Sequence, residues 1–208
     1  MSLIFYTNPA SRGRIVRWAL EEIGAPYETK TIKYGPELKA PEYCAINPMG
    51  KLPALTHDGV IITETAAIVT YLADAFPDAK LAPPPGSLAR GPYYRWLFFA
   101  AGPVEAAVTN KALGVTVPPE RAGFVGYGSL PLVLEVLEQA VARASPYLLG
   151  EEFSAADICL GSQISFGLRF GSMEARPGFQ DYAARLAARP AAIRAAALDD
   201  AALAATEV

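Results

Sequence analysis

The chain has 208 residues, of which 52% are hydrophobic, enough to bury one large core or two small ones and too many for a disordered chain. Its 18 basic and 21 acidic residues are spread along the sequence for a net charge of -3, which leaves no basic footprint for nucleic acid or for an anionic lipid surface.

Two cysteines, Cys44 and Cys159, lie far apart and outside any C-x-x-C pair, so neither a disulfide framework nor a zinc site is expected, and no metal is. "MSLIFYTNP" lacks the basic start of a signal peptide, and "YYRWLFFAAGPVEAAV" is broken by Arg95, Pro103 and Glu105, too interrupted to span a bilayer. The expectation is a soluble cytoplasmic protein.

In chain order, "SLIFYT" reads as a short strand. "RIVRWALEEIG" follows as a helix with Ile15, Val16, Ala19, Leu20 and Ile23 on one face and Gly24 as its left-handed stop. "YETKTIKY" alternates as a second strand, and "PELKAPEYCAI" is a short irregular helix. "PALTHDGVIIT" is a hairpin turning at Asp58-Gly59, and "ETAAIVTYLADAF" is a helix with Ala67, Ile68, Leu72 and Phe76 at core spacing. The order β-α-β-α-β-β-α predicts a small mixed sheet covered by helices over residues 1–77. The proline-rich "PDAKLAPPPGS" then predicts a linker, placed at 78–86.

Residues 87–208 carry only helical periodicity and predict an all-α domain. In "FSAADICL", Ser154 is an N-cap, Asp157 returns the bond from three residues on, and Phe153 is placed to staple against Ile158. "RPGFQDYAARLAARPAAIRAAA" reads as two helices, with Pro190 in the first turn of the second. "GPYYRWLFFAAGPVEAA" packs Tyr93, Tyr94, Trp96, Phe98 and Phe99 into a span that one helical face cannot hold.

The stretch "NPMGKLPAL" places Pro53 where a strand would start, although proline gives no N–H to a ladder. A cis Leu52-Pro53 bond would turn the Leu52 backbone outward, free to pair with an extended guest peptide. A trans Pro53 that merely ends the loop is the other reading. Together, "NPMGKLPAL", "ITETAAIVTYLAD" and "FSAADICL" in a helical second half resemble the cytosolic glutathione transferases over nearly the whole chain. The resemblance implies a thioredoxin-like glutathione-binding domain, a cis proline at Pro53, and pairing of the Leu52 backbone with the cysteinyl part of glutathione.

"TET", residues 63 to 65, stands where a strand passes into a helix. The helix start favours a carboxylate, Thr65 adds a hydroxyl, and Glu64 brings the charge that an ammonium needs, so the pair suits the γ-glutamyl end of glutathione. Thr63 and Thr65 as plain helix caps are the alternative. The family more often has serine at the place of Thr65. Lys39 and Lys51 are candidates for the glycyl carboxylate, or solvated surface lysines.

A group near the first helix must favour the glutathione thiolate, since a free thiol titrates near about 8.5. Ser11, starting the helix five residues after Tyr6, resembles the spacing of the serine-type classes; it is also a natural N-cap. "RGR" at 12 to 14 resembles tyrosine-type members, an alignment that puts Asn8 in the tyrosine's place. Ser11 ranks first as the sulfur's donor, Asn8 second and Tyr6 third. Cys44 and Cys159 read as small core residues, and His57, beside the hairpin turn, is no general base.

The resemblance implies a homodimeric glutathione S-transferase with glutathione as co-substrate, conjugating a small hydrophobic electrophile whose pocket the aromatic helix lines. The same bound thiolate could serve an isomerase, dehalogenase, peroxidase or disulfide reductase. A non-enzymatic interaction module of the same fold is the reading from another class.

Overall fold

A computed structural model describes residues 1–205. Strands β1 (Leu3–Thr7), β2 (Glu28–Thr31), β3 (Ala54–His57) and β4 (Val60–Thr63) form one sheet in the order β2-β1-β3-β4. The parallel β1-β2 pair is joined through helix α1 (Gly13–Ile23), and β3 runs antiparallel to both β1 and β4. With α2 (Pro41–Cys44) and α3 (Thr65–Ala75), this is the expected thioredoxin-like order. The segment read as one irregular helix is split into a 3-10 turn, Pro36–Lys39, and the single turn of α2, because Pro41 starts a new helix.

Local chemistry sets these elements. Asp58 and Gly59 have φ of 47° and 85°, the left-handed pair that a two-residue hairpin needs. Gly24 stops α1 at φ 67°, its N–H returning to the Leu20 carbonyl at 3.1 Å. Ile15, Val16, Ala19 and Leu20 of α1 are buried as expected, while Ile23 is only half-buried. On α3 the buried stripe is Ile68, Val69, Leu72 and Ala73; Ala67 is exposed and Phe76 half-buried. The stripe that packs on α1 and the sheet is rotated by a residue from the predicted one, and Phe76 instead stacks on His57 at 5.7 Å.

One residue on the buried face of α1 is a cation. Arg17 donates from Nε to Asp199 Oδ1 at 2.7 Å, and both side chains are buried. Asp199 lies on the last helix, α9 (Pro190–Ala204), which runs along α1. The Arg17 guanidinium also lies 5.2 Å from the Phe5 ring centre and donates to the Tyr27 hydroxyl. Burial pushes the Asp199 carboxyl up, against the pull of Arg17 beside it. Arg14–Asp200 and Arg189–Glu22, each at 2.7 Å, and Arg194–Glu21, at 3.1 Å, add three more ion pairs between the ends of the chain. Contacts accordingly group Met1–Ala79 with the segment from Arg189 onward, and Lys80–Ala188 as a second unit.

The second unit is helical: α4 (Arg90–Phe99), α5 (Glu105–Ala112), α6 (Leu130–Arg143), α7 (Ala155–Arg169) and α8 (Pro177–Ala187). A π turn, Ala100–Val104, links α4 to α5 and holds Pro103, whose ring an uninterrupted α-helix would not accommodate. On α4, Tyr93 and Trp96 are buried, Phe99 is half-buried, and Tyr94 and Phe98 are exposed. Helix α7 is buried over most of its length, and a Cβ on Gly161 would meet Leu186 of α8 at 2.1 Å.

At the start of α7, Asp157 is fully buried, and among the described residues it has no ion-pair partner. Its carboxylate accepts from the Ser154 N–H and hydroxyl, the Leu148 N–H and the Tyr182 hydroxyl, at 2.7 to 2.9 Å. Burial pushes this carboxyl up, and the four donors pull it back. The flanking Phe153 and Ile158 are both buried.

Ser154→Ala is expected to lower stability by about 1 kcal/mol. Asp157→Ala strands the Leu148, Ser154 and Tyr182 donors at about 1–3 kcal/mol each and should cost clearly more. Urea unfolding followed by circular dichroism measures both.

Candidate functional site

The strand register gathers three loops. Ala54, the first residue of β3, pairs with Tyr6 of β1 on one side and Thr63 of β4 on the other. The segment after Thr7, the segment before Ala54 and the segment after Thr63 therefore leave the sheet at the same end. These are "NPASR", "GKLP" and "ETA".

The Leu52-Pro53 peptide bond is cis. Strand β3 begins only at Ala54, and among the described residues neither the N–H nor the C=O of half-buried Leu52 makes a hydrogen bond. Its neighbours are tied down: the Lys51 carbonyl accepts from the Tyr43 hydroxyl at 2.6 Å and from Asn47 Nδ2 at 2.8 Å. Burial pushes the Tyr43 hydroxyl up to about 12, so it stays protonated and keeps donating at neutral pH. The Lys51 side chain is exposed. Lys39 Nζ donates to the Met49 carbonyl at 3.0 Å, bracing the turn at Gly50, whose φ of 57° only glycine adopts easily.

Glu64 precedes α3 at φ 67° and ψ 119°, a conformation that costs a non-glycine residue about 1–3 kcal/mol. No side chain caps this helix, and its first internal bond is from the Ile68 N–H to the Glu64 carbonyl. The N–H groups of Thr65, Ala66 and Ala67 stand at the open, positive end of the helix. The exposed Glu64 carboxylate and the half-buried Thr65 lie beside them.

The first loop differs from expectation in one respect. Helix α1 starts at Gly13, so Ser11 stands two residues ahead of it, and the N-cap position falls to Arg12. The Ser11 hydroxyl donates to the Asn8 carbonyl at 2.7 Å and accepts from the Gly13 N–H at 2.9 Å. It thus satisfies a first-turn donor as a cap would, from outside the cap position. Asn8 Nδ2 donates to the Ile32 carbonyl and its Oδ1 accepts from the Ala10 N–H, both at 3.0 Å. One amide N–H remains to Asn8 beyond these bonds. Tyr6 is buried on the sheet against Tyr43, Leu38 and Ala54.

Sequence reasoning missed Arg14, which donates from Nε to the Pro9 carbonyl at 2.6 Å, and Thr7, whose hydroxyl is pressed against Gly13. The "RGR" motif contains Arg14 and the Gly13 that Thr7 packs against. Elsewhere, His57 Nδ1 and the Tyr71 hydroxyl lie 2.8 Å apart at the hairpin end. The other end of the sheet carries this pair. Tyr127 accepts from Asn110 at 2.9 Å. Cys44 is half-buried at the end of α2, and burial pushes the Cys159 thiol up to about 12. No helix among the described residues is long and apolar enough to cross a membrane.

The family described as the N-terminal domain of glutathione S-transferase matches residues 1–74. The chain is 32% identical over 120 residues to glutathione S-transferase GstA of Escherichia coli O157:H7, covering 57% of this chain and 58% of that protein. It is 30% identical over 169 residues to maleylacetoacetate isomerase of Rattus norvegicus, covering 74% and 73%. Among solved structures, glutathione transferase URE2P6 from Phanerochaete chrysosporium, in complex with oxidized glutathione, superposes with a TM-score of 0.80 at 25% identity over 97% of each chain.

A Cβ on Gly13 would fall 1.9 Å from Thr7 Oγ1 and 3.0 Å from Thr7 Cβ. Gly13→Ala should therefore destabilise the fold by about 1–3 kcal/mol, and adding Thr7→Ala should recover part of the loss. Thermal unfolding of the two single variants and the double variant checks the coupling.

Proposed function

This chain belongs to the glutathione S-transferase family, and we propose that it binds glutathione at the sheet end described above and adds its thiolate to a small hydrophobic electrophile. The observation that carries the reading is the meeting of an unpaired backbone edge at Leu52 with the uncapped start of α3 at Glu64-Thr65. A short peptide ending in an α-amino acid head group needs that combination.

In this reading the Leu52 N–H and C=O pair with the cysteinyl residue in the manner of an added strand. Thr65 and the α3 N-terminus hold the γ-glutamyl carboxylate, and Glu64 holds its ammonium. Lys51 and Lys39 serve the glycyl carboxylate. Lys39 does so by leaving the Met49 carbonyl, or by holding that turn in place.

Ser11 is the sulfur's first-ranked donor. Its O–H turns from the Asn8 carbonyl towards the sulfur while its oxygen keeps the Gly13 N–H, which polarises the hydroxyl. Asn8 offers an amide N–H as the second-ranked donor. The thiol proton leaves to solvent, the thiolate electron pair forms the new C–S bond, and the electrophile expels a leaving group or takes a proton on the neighbouring carbon.

A second reading is favoured by the maleylacetoacetate isomerase relative: the thiolate adds to a conjugated double bond, the bond rotates, and the thiolate is expelled again. Glutathione is then regenerated, where conjugation consumes it. The exposed Tyr94 and Phe98 of α4 support a homodimer with these side chains covered by a second copy, and two free thiols support a cytoplasmic setting.

Calorimetric titration with glutathione at neutral pH should show saturable binding that weakens about tenfold in Thr65→Ala, in keeping with a lost hydrogen bond to a charged group. No binding by folded wild-type protein would remove the reading. With chlorodinitrobenzene as electrophile, Ser11→Ala should lower kcat/KM more than it weakens glutathione binding.

A further inference from the structure

Arg14 sits where two parts of the glutathione domain meet. Its Nε donates to the Pro9 carbonyl at 2.6 Å, inside the loop that carries Asn8 and Ser11. Its Nη2 donates to Asp200 Oδ1 at 2.7 Å, on α9. The Arg14 side chain is largely buried, while that of Asp200 is 65% exposed.

The loop is also tied to its surroundings through Asn8 and Ser11. Asn8 Nδ2 reaches the Ile32 carbonyl, the Asn8 carbonyl accepts from the Thr7 hydroxyl and from Ser11, and the Ser11 carbonyl accepts from the Arg14 N–H; the Ala10 and Gly13 N–H groups bond to the Asn8 and Ser11 side chains. The guanidinium joins the Pro9 carbonyl to α9, and its planar fork satisfies both partners at once. The charged groups around it are Asp200, and Asp199 with its partner Arg17, on α9 and α1.

We propose that Arg14 is a positioning residue for the sulfur-binding loop, with Asp200 as its anchor, so that the last helix of the chain takes part in activating the substrate thiol. The inference rests on the reading of residues 8 to 11 as the sulfur site. Arg14 acts through the Pro9 carbonyl: it holds the loop backbone where Ser11, or Asn8, can donate to the sulfur. A donor displaced by even 1 Å loses much of its effect, on the order of 100-fold in rate.

Clamping and simple charge make opposite predictions. Removing the Asp200 carboxylate takes a negative charge from the neighbourhood, which by field alone makes a thiolate easier to form. If Asp200 instead holds Arg14 in place, its removal loosens the loop and makes the thiolate harder to form. A lysine at position 14 keeps the charge but cannot reach the Pro9 carbonyl and Asp200 together.

The test compares wild type, Asp200→Ala, Arg14→Lys and, as a control, Arg194→Ala, which breaks a different α1-α9 ion pair with no reach into the loop. Glutathione affinity is measured by calorimetry, the pKa of bound glutathione by its thiolate ultraviolet absorbance, and kcat/KM with chlorodinitrobenzene across pH. Asp200→Ala and Arg14→Lys should bind glutathione within about twofold of wild type, raise the pKa of the bound thiol, and lose about tenfold in kcat/KM at neutral pH. The loss should shrink at alkaline pH, where the thiol ionises without help, and Arg194→Ala should match wild type.

An unchanged or lowered thiol pKa in Asp200→Ala, with glutathione still bound, would overturn the positioning role and leave the transferase reading standing. Equal losses in Arg194→Ala would also overturn it, by tracing the effect to general loosening of α9. A wild-type protein that binds no glutathione would remove the reading of the site and this inference with it.

Discussion

The pairing of Ala54 with Tyr6 on one side and Thr63 on the other is the constraint on which the N-terminal domain depends. A strand alternates its faces with period two, so a slip of one residue would turn Leu55 out of the core and move the start of β3 away from the ends of its neighbours. In register, Leu55 is fully buried, and the three loops that carry the candidate residues emerge together. Hydrophobic burial thus sets the geometry of the polar loops at that end of the sheet. One residue there, Glu64, is held in a strained conformation that the surrounding sheet and helix impose.

The second organising feature is electrostatic. Helix α9 is alanine-rich and brings little apolar bulk to its contact with α1. Its fit rests on small side chains packed closely and, among the described residues, on ion pairs of Arg14, Arg17 and Arg194 and of Arg189 just before it, of which Arg17–Asp199 is buried. A buried pair gains little net stability over an apolar one of the same shape, because both charges lose their hydration. Its effect is on specificity. Arg17 left without Asp199 would be an uncompensated cation beneath the sheet, so α9 has one seat along α1, and that seat also brings Asp200 to Arg14. The second unit uses a different device at Asp157, a buried carboxylate held by four hydrogen-bond donors, which fixes the start of α7 to the preceding loop and to α8.

Much of the fold was legible because its signals are local. The Asp58-Gly59 turn, the Gly24 stop, the Ser154-Asp157 box and the prolines at helix starts each depend on the chemistry of a few neighbouring residues. Alternation and helical spacing then gave the element order. The misses were of another kind. Ala67 and Val69 are both small or medium apolar residues two positions apart on α3, on nearly opposite sides of the helix, and which of them faces inward depends on where α1 lies. Ser11 has the chemistry of an N-cap, yet the helix starts two residues later, after a tight turn in which Asn8 binds Ala10 and Ser11 binds Asn8.

The sequence by itself determined the β-α-β-α-β-β-α order, the helical second half and the motifs that mark the family, since these follow from local periodicity and from motifs read in order. Only the tertiary structure decided that α9 returns to α1, that Arg17 is buried, and that Arg14 joins the Pro9 carbonyl to Asp200. Those contacts join residues some 180 positions apart. No local preference encodes a pairing at that distance; it exists only once packing has brought both ends of the chain to the same helix face.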